Sequence, residues 1–389
     1  MFFLIELDLA QRWERRRRLA GKCRKIELLR KFLIGSHLIA MARKKVRLKD
    51  VAEKAGVAVN TASTILNRRP NSWASKETEE RVFEAAKVLG YRPNRAAVAL
   101  QAGRFSTIGL LIADLKNPYF TQFASLMGAA LEEKGYNLVI ENWRNDLERE
   151  KKSLEDFVHR DVDGVAVFVS DVDAHREFLE HQSKLGFPIV AYAMPGAGSA
   201  YVDMVIPNFE VGLSQAAENL HELGHRNFVF LSARSEGQRV GMRPALFRDA
   251  IAKLDGQSQV EVVSCGPSID DAREVGLRIL AGDERPSAVV ALNDFTALGI
   301  MRAAKELGLR IPEDLSVVGI DGVPLGAQLM ISLSTVAQPL VEMAATTVEM
   351  LISRIEGEEE LPPMREEFAT SFIKRESIGP AAGSSARMK

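Results

Sequence analysis

From Ser106 onward the chain alternates short, unbroken apolar runs with longer stretches whose apolar residues recur at helical spacing. The runs fall at residues 107–112, 136–140, 165–169, 188–192, 228–231, 288–292 and 315–320. A continuous apolar run fits a strand buried on both faces, and such strands alternating with helices predict parallel sheets covered on either side. Residues 105–380 exceed one comfortable hydrophobic core, so the pattern predicts two α/β lobes. Ligands of open α/β sheets bind beyond the carboxyl ends of the strands. The loops after the strands are therefore where binding residues are sought.

Ahead of this segment the period is different. Val51, Ala52 and Ala55 form one apolar helical face, with Asp50 near the helix start. Gly56 suits the tight turn that follows, because it takes a positive φ without a Cβ clash. A second helix, roughly residues 59–66, turns Ala62, Ile65 and Leu66 inward and leaves Val59, Asn60, Ser63 and Thr64 facing out. This is a helix-turn-helix, or else an ordinary helical hairpin of a core. Ser75 then caps a third helix with Glu77, Glu79 and Glu80 in its first turn, Val82, Ala85, Ala86 and Leu89 inside, and Gly90 at its end.

Tyr91-Arg92-Pro93-Asn94-Arg95 follows, running on to Leu100, Gly103 and Arg104. This series of motifs resembles the lactose-repressor (LacI/GalR) family of bacterial transcription regulators, over about residues 41–378. The resemblance implies a helix-turn-helix DNA-binding domain at 41–89, a hinge at 90–104, and an effector-binding and dimerisation domain at 105–380. That last domain is expected to be two-lobed, like a periplasmic sugar-binding protein. One lobe takes residues 105–200 and 338–365, the other 201–331 and 366–380, with crossings near 200, 331 and 337. Residues 381–389 are expected to be a disordered tail without a tetramerising zipper.

The resemblance assigns DNA contacts residue by residue. Val59, Asn60 and Thr64 match base-reading positions: Val59 for a thymine methyl, Asn60 for adenine, Thr64 as donor or acceptor. Thr61, Ser63 and Asn67 are expected at phosphates. Asn94, Arg95 and Ala97 match minor-groove positions, and Leu100 the leucine that wedges between base steps. Relatives commonly carry arginine where Thr64 stands, so the operator is expected to depart from the usual half-site.

For the effector, Tyr119 or Phe120 lines the cleft after the first strand, or packs the helix entry. Arg243, before Pro244 in a first helical turn, is the strongest ligand candidate, against the alternative of a solvated arginine. Asn293 and Asp321, each directly after a strand, are expected to accept hydroxyl protons, while Asp294 is expected to cap the next helix. Ala193 stands where many sugar-binding relatives carry an acid, so a sugar acid or phosphorylated sugar stays open beside a plain hexose.

Charge sharpens this division. Residues 1–104 hold 24 Lys and Arg against 10 Asp and Glu, whereas the remainder holds 27 against 42, within a net charge of −1. A basic front suits phosphate contacts. The two cysteines, Cys23 and Cys265, build neither a disulfide framework nor a metal cluster, which fits a reducing cytoplasm. No apolar run approaches the roughly 20 residues that span a bilayer. Residues 1–40, with Arg15 to Arg18 after rather than before an apolar stretch, do not read as a secretory signal. They are expected to be a basic extension, with translation naturally starting at Met41. Neither a phosphate-binding Gly-x-x-x-x-Gly-Lys loop nor a nucleophile elbow occurs. The expected protein is thus a cytoplasmic, nucleoid-associated dimeric repressor of a catabolic operon. Its partners are double-stranded palindromic operator DNA and a carbohydrate-like effector, with no cofactor, metal, membrane or catalytic role. A periplasmic-type solute-binding protein is the alternative, but it has no use for residues 46–104.

Overall fold

The computed structural model describes residues 46–67, 74–92, 103–160, 162–192, 201–233, 242–282, 284–357 and 362–382. The chain divides into two compact units, one ending at Val98 and the other starting at Ala99.

Among the described residues the first unit contains three helices: α1 (Leu48–Ala55), α2 (Val59–Leu66) and α3 (Lys76–Leu89). Asp50 closes the start of α1 by accepting from the Arg47 amide at 2.8 Å. Gly56 ends α1 in the left-handed region at φ 67°, and the Val57 amide returns to the Ala52 carbonyl at 3.0 Å. Val57 therefore packs against a core of Val51, Ala52, Ala55, Ala62, Ile65, Val82, Ala85 and Ala86. Five of those eight residues are alanine, which lets three short helices approach closely. Ser75 accepts from the Thr78 amide at 3.3 Å and Gly90 ends α3 at φ 65°, as the capping pattern predicts.

The second unit holds two six-stranded sheets. The first is built from β1 (Thr107–Ile112), β2 (Asn137–Asn142), β3 (Gly164–Phe168), β4 (Ile189–Tyr192), β5 (Asp203–Asn208) and β11 (Arg365–Ala369), in the order β11-β5-β4-β3-β1-β2. Every pairing in it is parallel. Helices α4 (Pro118–Glu133), α5 (Leu147–Val158), α6 (Arg176–Lys184) and α11 (Leu340–Glu356) belong to this lobe. The second sheet is built from β6 (Asn227–Ala233), β7 (Gln259–Cys265), β8 (Ala288–Val290), β9 (Ser316–Asp321), β10 (Ser334–Ala337) and β12 (Ser371–Ile373), in the order β12-β10-β9-β8-β6-β7. It is parallel except where β12 runs antiparallel to β10. It is packed by α7 (Glu210–Glu222), α8 (Met242–Leu254), α9 (Ile269–Ile279) and α10 (Asp294–Glu306). Where the apolar runs are central they are buried on both faces: β1, β3, β4, β8 and β9 are buried almost throughout, whereas β2, at the edge of its sheet, is largely exposed despite the apolar run at 136–140.

The crossings between lobes differ from the expected ones. β5 pairs with β4, so the chain leaves the first sheet after Asn208 rather than near 200. No passage occurs near 331, because the chain runs on into β10 beside β9. It leaves the second sheet after Ala337, as expected, and returns after Ala369, since β11 pairs with β5. Residues 366–369 thus belong to the first lobe. Around the later crossings the cause is short or polar strands, β10 and β11, completed by pairing rather than by their own apolar pattern. An ion pair fixes the entry into β11 within the first lobe. Buried Asp203 takes Arg354 in two bonds of 2.9 and 2.7 Å and the Met364 amide at 2.7 Å. Near the C-terminus, Ala381 is buried and its amide donates to the Leu223 carbonyl at 2.8 Å, so the second lobe extends one residue into the expected tail. Residues 1–40 and 383–389 lie outside the described residues. Among the described residues no helix is long and apolar enough to cross a membrane.

Candidate nucleic-acid interface and ligand cleft

In the first unit, α2 buries Ala62 and Ile65 and turns its other side outward. Val59 is 45% exposed and Asn60 is exposed, while Thr61, Ser63, Thr64 and Asn67 are partly exposed. The six residues expected at DNA therefore share the part of α2 that the core leaves open. Two are tied to the helix itself: the Thr64 hydroxyl donates to the Asn60 carbonyl at 2.9 Å, and the Asn67 amide to the Ser63 hydroxyl at 3.3 Å. Thr64 thus offers an outside partner acceptor lone pairs, not its proton. Ala58 precedes α2 with no side-chain cap, so the first amides of α2 keep their donors for an external acceptor. The hinge candidates Asn94, Arg95, Ala97 and Leu100 lie outside the described residues.

In the second unit the carboxyl ends of the two sheets supply unlike groups. On the first lobe, Asn117 accepts from the Tyr119 amide at 3.0 Å and starts α4, with Pro118 in the first turn. That places Tyr119 and Phe120 beside Phe168 and Tyr192, the last residues of β3 and β4. Phe168 stacks on Tyr192 at 3.8 Å and meets Tyr119, Phe120 and Phe123 edge-on at 5.0–6.0 Å. The Phe168 carbonyl also accepts from the Trp143 indole at 2.9 Å. The Tyr192 hydroxyl is held by Thr347 of α11. Burial raises the hydroxyl pKa values of both Tyr119 and Tyr192, so these rings stay neutral.

The second lobe contributes charge. β9 ends at Asp321, whose φ is 120°, a conformation a non-glycine residue holds only under strain from its surroundings. Gly322 follows at φ 77°, and a Cβ there would stand 2.5 Å from that of Ala337, so the turn needs glycine twice over. The Asp321 carboxylate, 4% exposed, accepts from the Gln338 amide at 2.9 Å. Gln338 in turn accepts from the Tyr119 hydroxyl at 3.1 Å. A Tyr119–Gln338–Asp321 chain thus joins the two lobes at a crossing. Arg243, on the first turn of α8, donates to the Leu292 carbonyl at 3.3 Å and lies over the Phe209 ring at 4.3 Å. Burial lowers its pKa, opposed by the nearby Asp321 and Tyr119.

The structure therefore brings Tyr119, Asp321 and Arg243 together, with Phe120 on the adjoining aromatic wall. Asn293 borders them, one residue beyond Leu292, yet its role differs from the expected one. Its side-chain oxygen accepts from the Thr296 amide at 2.8 Å and caps α10. Asp294, expected to be that cap, is instead the first helical residue, 2% exposed. It accepts from the Val323 amide at 2.8 Å and the Thr335 hydroxyl at 2.6 Å, fastening the β9 turn and β10 to α10. Gly319 makes room for it, since a Cβ there would lie 2.0 Å from the Asp294 carboxylate. Asn293 rather than Asp294 caps the helix because it is the residue in extended conformation before it, the position from which a side chain reaches the third amide. Sequence reasoning missed Gln338 and Phe209. Gln338 carries the same signal that singled out Asn293 and Asp321, a polar residue just after a strand, but the four-residue β10 went unrecognised. Phe209 carried no such signal.

Comparison with known proteins agrees with this geometry. Residues 47–94 match the model for bacterial regulatory proteins of the lacI family, and residues 217–378 match a periplasmic binding protein-like domain. The ribose operon repressor of Halalkalibacterium halodurans is 32% identical over 337 residues, covering 85% of this chain and 96% of that protein. The transcriptional repressor PurR of Erwinia tasmaniensis is 32% identical over 336 residues, with the same coverage. Among solved structures, the lac repressor dimer bound to operator and the anti-inducer ONPF is 25% identical, with a TM-score of 0.71. That match covers 86% of this chain and 100% of that one. The regulator CelR in complex with cellobiose is 26% identical with a TM-score of 0.61, over 85% and 99% of the two chains. With a reading helix in one unit, a two-lobed cleft in the other and repressors matched along nearly their whole length, the chain belongs to the lacI family of DNA-binding transcription regulators.

Proposed function

We propose that the chain represses a catabolic operon from the cytoplasm. Two copies bind a palindromic operator, and a carbohydrate-type effector seated between the two lobes alters their grip. The observation that carries this reading is the Tyr119–Gln338–Asp321 chain. It places a hydroxyl, an amide and a carboxyl in line across both lobes, beside the Arg243 guanidinium and an aromatic wall. Such a set suits a polyhydroxylated molecule, with ring faces packed on one side and hydroxyls bonded on the other. A ligand that bonds to both lobes couples to whatever their spacing controls.

On DNA, one helix-turn-helix has too small a footprint for tight specific binding, so pairing of two copies follows. Val59 and Asn60 read bases from the exposed part of α2, with Thr64 accepting. Thr61, Ser63, Asn67 and the uncapped amides of α2 hold phosphates. Asn94, Arg95 and Ala97 enter the minor groove, and Leu100 wedges the duplex open. Selection of bound duplexes from random DNA, with and without a panel of sugars, tests this reading. The expected product is a two-fold symmetric site whose recovery changes with one class of sugar and weakens with salt. Arg243→Ala is expected to select the same site and to lose the sugar response. No preference over random duplex under any of these conditions would falsify the reading.

A further inference from the structure

One helix meets both the cleft and the segment by which the chain passes from the hinge into the first lobe. α11 starts two residues after Gln338, and the Leu340 amide donates to the Gln338 carbonyl at 2.9 Å. Gln338 itself bonds Tyr119 and Asp321, so the start of α11 is fastened to the chain that joins the lobes. At mid-helix, Thr347 holds the Tyr192 hydroxyl of the aromatic wall. At the far end Glu356 pairs with Arg104, the last residue of the expected hinge, at 3.3 Å. Seventeen residues at ~1.5 Å each separate the two ends by about 25 Å.

The segment that Arg104 opens is held as a collar. Both oxygens of the Asp163 carboxylate accept amides there, from Phe105 at 2.7 Å and from Thr107 at 3.1 Å. The Ser106 carbonyl accepts from the Asn137 amide at 2.9 Å and from its side-chain NH2 at 3.1 Å. Ser106 sits at φ 50°, which a residue other than glycine keeps only where its neighbours fix it. Four bonds thus set the direction in which the chain enters β1. An exposed pair such as Arg104–Glu356 adds little stability. Its effect is geometric: it ties the end of α11 to a segment already held stiffly. Seven side chains of α11 are buried. An interior packed at crystal-like density passes a displacement on instead of absorbing it.

We propose that α11 is the rod by which the cleft acts on the hinge. A change of bonding at Gln338 shifts the helix, and Glu356 carries Arg104 and the collar with it. This rests on the repressor reading above and names the route of its coupling. Glu356, Asp163 and Asn137 are then positioning residues, which act on DNA only through the direction of the hinge.

Hydrogen exchange read at single amides of the full chain tests the rod without any ligand. Gln338→Leu is expected to speed exchange of the Phe105 and Thr107 amides by about threefold or more. The Trp143 amide, which donates to the Ile112 carbonyl on the same sheet, is expected to keep its wild-type rate. Unchanged collar amides overturn the proposal. So does an equal rise at all three amides, the mark of general loosening. Gln338→Asn, too short to reach both partners, replaces the leucine variant if that one does not fold. A double-mutant cycle then tests the contact with the collar, read by fluorescence anisotropy on the duplex recovered by selection. Glu356 is varied rather than Arg104, so that no positive charge near the DNA is lost. Gln338→Leu is expected to change operator affinity about threefold or more in the wild-type chain, and less than about twofold in Glu356→Gln. The same fold-change in both backgrounds, or none in either, overturns the proposal and leaves the repressor reading standing. A wild-type chain that prefers no duplex overturns both.

Discussion

The two walls of the cleft are made of opposite materials. The first lobe presents five packed rings, Tyr119, Phe120, Phe123, Phe168 and Tyr192, held by dispersion and burial. The second presents Arg243, which donates to a backbone carbonyl, and Asp294 and Asp321, which accept from specific donors and sit beside glycines where a Cβ would clash. Ring packing is non-directional and gains from every contact, so that wall acts as the lobe's structural corner as well as a surface. A polar wall gains little from each bond it makes but loses much from each bond left unmade. The first lobe is thus expected to set shape and stability, and the second to set chemical selectivity.

The largest expected effect breaks that comparison if it fails. Phe168, 9% exposed and in contact with four other rings, lies where β3 ends and the cluster begins. Phe168→Ala is expected to cost about 3–5 kcal/mol, as buried phenylalanine truncations do. Urea denaturation of the full chain measures it. A cost below that of the polar substitution that follows inverts the assignment of roles.

Gln338 is where the walls meet, and its removal is expected to cost less. Gln338→Leu keeps the approximate volume but leaves the buried Tyr119 hydroxyl without its acceptor and Asp321 without its donor. Leaving such groups unsatisfied costs about 1–3 kcal/mol. Because the bond joins the lobes, the same variant is also expected to show a changed operator response to effector, read by fluorescence anisotropy. An unaltered response, with stability lost, would make Gln338 a packing residue rather than a link.

The contrast between walls also explains what the sequence made legible. The polar wall was largely readable because Asp321 ends the apolar strand β9, Asn293 comes shortly after β8, and Arg243 stands beside a proline in a first helical turn. The aromatic wall was readable only at Tyr119 and Phe120. Phe168 and Tyr192 lie within strands, where a ring looks like any other core residue until the strand's end is known. The lobes themselves followed from alternating apolar runs. Their crossings did not, since β10, β11 and β12 are short or polar and exist through pairing with distant partners. Asp294 and Asn293 were exchanged because both residue types cap helices, and the backbone angle that decides between them is not written in composition.

The smallest expected effect separates two roles of one residue. Asn293 caps α10 through its side-chain oxygen, while its NH2 group makes no hydrogen bond among the described residues. The cap and the ligand contact therefore use different atoms. Asn293→Ser keeps an acceptor at the cap position and removes the NH2 donors. Its stability is expected to stay within a few tenths of a kcal/mol of wild type, since serine and asparagine cap about equally well. Asn293→Ala loses the acceptor too, and is expected to cost about 1 kcal/mol. If the amide serves the effector, the serine variant should bind it several-fold more weakly, the loss of one neutral hydrogen bond of about 1 kcal/mol. Equal effector affinity in the serine variant and wild type, by calorimetry, would confine Asn293 to its helix and leave selectivity to Arg243, Asp321 and Gln338.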